Sequence, residues 1–194
     1  MIAPATSTPT NHPGFPGSLL GMLLFISSEV MFFASLFGAY FTLRAAAAEW
    51  PPPGSPEIAV LRTALFTAFL LSSSATVQRA VTAARRGNRA ETVRWLLLTM
   101  SLGVVFLAGQ AWEYAELSAD GFDLSTNVFV TLFFTMTGFH GLHVIGGLIA
   151  MAIVATSARR GYLSGHGPVE AVSYYWHFVD VVWVVLFATL YLLA

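Results

Sequence analysis

Apolar residues run almost unbroken through five stretches of the chain, about 18–44, 58–82, 92–117, 126–157 and 169–193, and Pro, Gly, Arg, Asp and Asn collect in the short segments between them. Each stretch exceeds the roughly 20 helical residues needed to cross a hydrocarbon core of about 30 Å. In lipid the backbone must satisfy its own N–H and C=O groups, so a spanning segment of this kind is a helix. The pattern therefore predicts an all-α polytopic membrane protein, a bundle of five transmembrane helices forming one domain over residues 18–194. The fourth stretch is longer than a span requires, which predicts tilt or a helical extension beyond the membrane. The segment 50–56, "WPPPGSP", cannot carry a helix through three consecutive prolines and reads as a rigid turn with Trp50 at the headgroup level.

Composition agrees with the pattern. The chain is 56% hydrophobic and only 10% charged, with a mean hydropathy of +0.71, which excludes an ordinary soluble domain. Residues 1–17, "MIAPATSTPTNHPGFPG", lack both a basic start and a short apolar core, so they read as a flexible tail and not as a signal peptide. The absence of cysteine removes disulfides, iron–sulfur clusters and thiolate copper sites. All nine basic residues are Arg, and with the many Ala and Gly this suggests a GC-rich bacterial genome and hence a bacterial plasma membrane. No nucleic-acid partner is expected.

Charge orients the bundle. Arg79, Arg85, Arg86, Arg89 and Arg94 surround the second connection and Arg159 and Arg160 open the fourth, whereas the first and third connections hold acids and only Arg44 and Arg62. The positive-inside rule then places the N-terminus in the cytoplasm and the C-terminus outside. No internal repeat is evident, which weakens a transporter reading.

Ionisable groups inside spans are costly and need an explanation one by one. They are Glu29, Glu113, His140, His143, His177 and Asp180, with Gln110 beside them. Counted at about 1.5 Å per residue from the cytoplasmic helix ends, Glu29 and Asp180 lie roughly 16 Å deep, His177 about 12 Å and His143 about 22 Å. On the same scale His140 and Gln110 lie roughly 27 Å deep and Glu113 about 31 Å, which suggests two polar layers. Glu29, in "FISSEVMFF", has Phe25, Phe32 and Phe33 on its face and no base within a turn. It reads either as a proton-exchanging, carbodiimide-reactive carboxyl or as a hydrogen-bonded tie to a neighbouring helix. His140 and His143 share one helix face, as do His177 and Asp180, at i,i+3 spacing. Haem or metal could draw on such histidines, but the Glu-x-x-His motifs of a bundle di-metal site are missing. Buried helix ties are the simpler account, and no metal is expected. Gln110 and Glu113 also share a face and could reach His140. Trp112 and Tyr114 read as an aromatic belt. Gly138, Gly141, Gly146 and Gly147, and the Ala34/Gly38 pair, read as points of close helix approach.

The strings "SSEVMFF", "WPPPG", "GQAWEY", "TGFHGLHVIGG" and "SYYWHFVDVVW", in this order over residues 27–183, closely resemble subunit III of the haem–copper oxygen reductases, the cytochrome c oxidases and their quinol-oxidising relatives. The similarity is to the short five-helix bacterial form, including the actinobacterial one. This resemblance implies a non-catalytic accessory subunit of an aerobic terminal oxidase that reduces O2 to water and pumps protons. It also implies subunits I and II as partners, with haem and copper held there and none in this chain. Glu29 falls on the family's carbodiimide-reactive glutamate, and His140, His143, His177 and Asp180 fall on its signature polar positions. The family subunit stabilises subunit I, supports proton uptake and holds phospholipid. Much of the lipid cleft belongs to two helices that this chain lacks, so the lipid contacts expected here are those of Arg159 and Arg160 with anionic headgroups. Three alternatives stay open at this stage: the same subunit in a quinol oxidase or nitric oxide reductase, an independent carrier or proton channel built on Glu29, and a small haem or metal enzyme using His140, His143 and His177.

Overall fold

The computed structural model describes residues 17–163 and 165–193, so the expected tail, with His12, lies outside the described residues up to Gly17. Five long helices follow one another: α1 (Gly17–Ala46), α2 (Val60–Arg85), α3 (Arg89–Ala119), α4 (Val128–Arg160) and α5 (Gly167–Phe187). A π-helical turn, Ala188–Leu192, continues α5. All five are long and apolar enough to cross a membrane. At 33 residues α4 is about 50 Å long, well beyond a hydrocarbon core of about 30 Å.

The helix ends follow local chemistry. The Asn88 side chain accepts the Glu91 N–H at 3.1 Å and donates to the Glu91 carboxylate, a reciprocal cap that starts α3 three residues after α2 ends. Asn127 caps α4 in the same way through the Val130 N–H, at 3.0 Å. Gly161, at φ +78°, takes the left-handed conformation that ends α4 and lets the Tyr162 N–H reach the Ser157 carbonyl. The tight Arg86–Asn88 connection makes α2 and α3 antiparallel neighbours with the most extensive pairing in the molecule.

The α5 helix is central. It packs on α1, α2 and α4, and 56% of its most apolar window is buried, against 6% for α1, which lies at the edge on α5 and lightly on α4. Trp176 and Trp183 of α5 are fully enclosed with Leu70, Leu96, Phe106, Met136 and Met151. Glycines make room for them: a Cβ on Gly147 would lie 2.7 Å from the Trp176 ring, and one on Gly103 2.9 Å from it.

Three expectations change. Ala34 and Gly38 do not mark a helix contact, because both are exposed and a Cβ on Gly38 would meet nothing within 4 Å. Trp50 turns inward, its Nε1 donating to the Tyr40 hydroxyl at 3.1 Å and its ring edge-on to Phe129. Tyr114 likewise leaves the expected belt for the α3–α4 seam, while Trp112 stays exposed.

Candidate functional site

The polar groups of the spans gather in three places. The first joins the edge helix to the bundle. His143 Nε2 on α4 lies 2.8 Å from Glu29 Oε2 on α1, with both side chains partly exposed. His143 Nδ1 lies 2.7 Å from the Phe139 carbonyl, which can only accept, so Nδ1 carries a hydrogen. Nε2 and the Glu29 carboxyl therefore share one proton, either as imidazolium and carboxylate or as neutral imidazole and acid. Phe32 and Phe33 pack on the imidazole, and the Tyr175 hydroxyl donates to the His143 carbonyl at 3.0 Å. Sequence depths put Glu29 and His143 about 6 Å apart along the membrane normal, a difference that two long side chains absorb.

The second place ties α2 to α5. Ser74 donates its only hydroxyl hydrogen to Asp180 and accepts from His177 Nδ1 at 3.0 Å, so the i,i+3 pair of α5 closes through a serine that its own spacing does not reveal. Two indoles extend the seam: Trp176 Nε1 donates to Ser73 at 2.7 Å and Trp183 Nε1 to Thr67 at 2.8 Å. Sequence reasoning missed this hydroxyl face of α2. Its signal is the spacing of Thr63, Thr67 and Ser74 within an otherwise apolar run.

The third place lies between α3 and its neighbours. Glu113 accepts from Thr63 of α2 at 3.1 Å and from Tyr191 at 2.6 Å, and the π-helical turn carries Tyr191 there. Gln110 donates to the Thr137 carbonyl of α4 at 2.6 Å, beside the 2.6 Å Tyr114–Thr137 hydroxyl contact. Neither reaches His140. That imidazole is fully buried between Phe106 and Trp183, and neither ring nitrogen has a hydrogen-bond partner among the described residues. It holds α3, α4 and α5 together by ring packing and not by a hydrogen bond.

Arg159 and Arg160 are exposed in the last turn of α4, where the helix dipole favours cations, and neither forms an ion pair among the described residues. No group of three or more His, Asp or Glu that could hold a metal occurs among the described residues.

A bundle of five helices long and apolar enough to cross a membrane, with buried polar groups that bind one helix to another, defines a class, that of polytopic membrane proteins. The particular family follows from comparison. The cytochrome c oxidase subunit III family model matches residues 8–194. The chain is 43% identical to the probable cytochrome c oxidase subunit 3 of Nocardia farcinica over 178 residues, 89% of this chain and 86% of that one. It is 41% identical to the cytochrome c oxidase subunit 3 of Synechocystis over 186 residues, 94% of this chain and 78% of that one. With the subunit 3 of Corynebacterium diphtheriae it shares 40% identity over 196 residues, 98% and 94% of the two chains. The chain belongs to the cytochrome c oxidase subunit III family, and as such to a respiratory terminal oxidase complex.

Proposed function

We propose that this subunit stabilises the haem–copper catalytic subunit I of a cytochrome c oxidase in a bacterial plasma membrane and supports its proton uptake, with Glu29 and His143 as the proton-bearing pair. Subunits I and II are its partners, and haem and copper reside there. The observation that carries the reading is the single proton that His143 Nε2 and Glu29 must share, on the partly exposed flank of the edge helix. Proton chemistry at the flank would act on a neighbouring subunit without a redox centre here.

The test uses the complex purified in mild detergent through a tag on this chain. The purified complex should contain subunits I and II with their haem and copper. Carbodiimide should label Glu29, and Glu29→Gln should leave assembly intact while lowering proton uptake and hastening loss of activity during turnover. Unchanged uptake and unchanged turnover lifetime in Glu29→Gln would leave the pair as a helix tie and nothing more.

A further inference from the structure

The α2–α5 seam holds titratable groups that the proposed function leaves idle, although an ionisable group inside a span calls for a function. His177 and Asp180 stand one turn apart on α5, and Ser74 of α2 joins them, its Oγ 3.0 Å from His177 Nδ1 and hydrogen-bonded to Asp180 Oδ2. The two ends of this chain differ. Asp180 is 4% exposed, and its Oδ1 is buried with no hydrogen-bond partner among the described residues. His177 is partly exposed, and only its Nδ1 is hydrogen-bonded among the described residues, which leaves Nε2 as the open end. That end is also the shallower one: His177 lies about 15 Å along α5 from Gly167, and Asp180 about 4.5 Å deeper.

A hydroxyl between an imidazole and a carboxyl can donate and accept at once, so it can reverse both bonds without moving a heavy atom. With Nδ1–H donating to Oγ and Oγ–H donating to Oδ2, Asp180 is a carboxylate and Nε2 carries a lone pair. A proton that arrives at Nε2 releases the Nδ1 hydrogen to Oγ, and the Oγ hydrogen passes to Oδ2. Asp180 is then an acid that donates to Ser74, Ser74 donates to Nδ1, and the new proton sits on Nε2. The cluster has gained one proton and lost its negative charge. The proton goes no further, because Oδ1 faces no partner. Charged groups on the elements around α5 are engaged elsewhere: Glu29 with His143, Arg85 with Glu170, and Arg79 over the Trp95 ring at 4.8 Å. His140 lies between the Phe106 and Trp183 rings.

From this geometry we infer that His177, Ser74 and Asp180 form a store for one proton inside the bundle, filled and emptied through His177 Nε2 and closed at Asp180. A chain open at one end takes up and returns a proton by the same path and conducts none across the membrane. The store joins α2 to α5, whereas Glu29 and His143 join α1 to α4, so the two stand or fall separately.

Infrared difference spectroscopy of the intact oxidase complex during a downward pH step tests the store, with Glu29→Gln as the background so that the other proton-bearing carboxyl is silent. The carbonyl band of one protonated carboxyl should rise as pH falls and disappear again on return. That reversible gain should be lost in Asp180→Asn and in Ser74→Ala, and kept in Ser74→Thr, which retains the hydroxyl. Should Ser74→Ala fail to assemble, His177→Phe closes the open end while leaving Ser74 and Asp180 in place, and it should also lose the gain. A band that depends on Asp180 but stays constant with pH makes the cluster a fixed helix tie and overturns the inference. An unchanged gain in Ser74→Ala or His177→Phe overturns it too. So does a passive proton leak through the complex in proteoliposomes that Asp180→Asn abolishes, which would make the chain a conduit.

Discussion

At the scale of the residue, glycine and histidine behave in ways that their neighbours dictate. Gly147→Ala forces a methyl into the Trp176 ring and should cost about 1–3 kcal/mol, the usual penalty for overpacking. Gly38→Ala meets nothing and should be neutral or stabilising, by up to about 1 kcal/mol from helix propensity. Thermal unfolding of the two variants in detergent checks the contrast, and similar losses would refute the packing described for Trp176. His140→Leu should cost less than about 1.5 kcal/mol, because volume and ring contact matter there and no hydrogen bond is lost. Asp123 offers a pH signature outside the membrane. Hydrogen bonds from the Ser125 side chain and amide hold its folded-state pKa below the ordinary value, so its ordering of the 122–127 loop is complete above that ordinary value and is lost as pH falls through the lowered one. Hydrogen exchange at the Ser125 amide should therefore accelerate in acid relative to Asp123→Asn at the same pH.

At the scale of the element, α2 and α5 are joined by hydroxyls. Ser74→Ala removes the hydrogen donated to Asp180 and leaves a buried carboxyl without that partner, at a cost of about 1–3 kcal/mol. The double variant Ser74→Ala, Asp180→Leu should recover much of that loss, and a stability equal to the sum of the single losses would argue against the tie. The Arg85–Glu170 pair near the same seam, at 2.6 Å, is half exposed on the Arg side and should contribute below about 1 kcal/mol. The short link between α2 and α3 accounts for their close pairing. The long first connection, bent by prolines, lets α1 leave α2 and dock on α5 instead.

At the scale of the whole molecule, the arginine distribution argues that the N-terminus and the Arg-rich connections face the cytoplasm. The chain has no cysteine, so single cysteines introduced at Asn88 and Ser118 report sidedness without background. An impermeant thiol reagent applied to intact cells should label position 118 and spare position 88, and the reverse would invert the topology. The edge position of α1, with Leu24, Met31 and Phe41 exposed, leaves one apolar flank of the bundle uncovered by this chain and open to lipid or to a neighbouring subunit.

The sequence by itself determined the five spans, their ends to within about three residues, the family and which polar residues lie inside the spans. It could do so because spans, caps and charge asymmetry are local: a run of apolar residues, an Asn before a helix or a cluster of Arg acts through its immediate surroundings. Partners were decided only by tertiary structure. Glu29 meets His143 across 114 positions and Ser74 meets Asp180 across 106, and no periodicity within one helix encodes which neighbour it faces. The same limit explains the misread residues. His140 and Glu113 lie near one another along the membrane normal, yet rotation about their helix axes turns Glu113 to Thr63 and Tyr191 and His140 to Trp183. Depth follows from counting residues, whereas rotation and neighbour choice follow from how the bulky Trp176 indole of α5 settles against Gly103 of α3 and Gly147 of α4 at once.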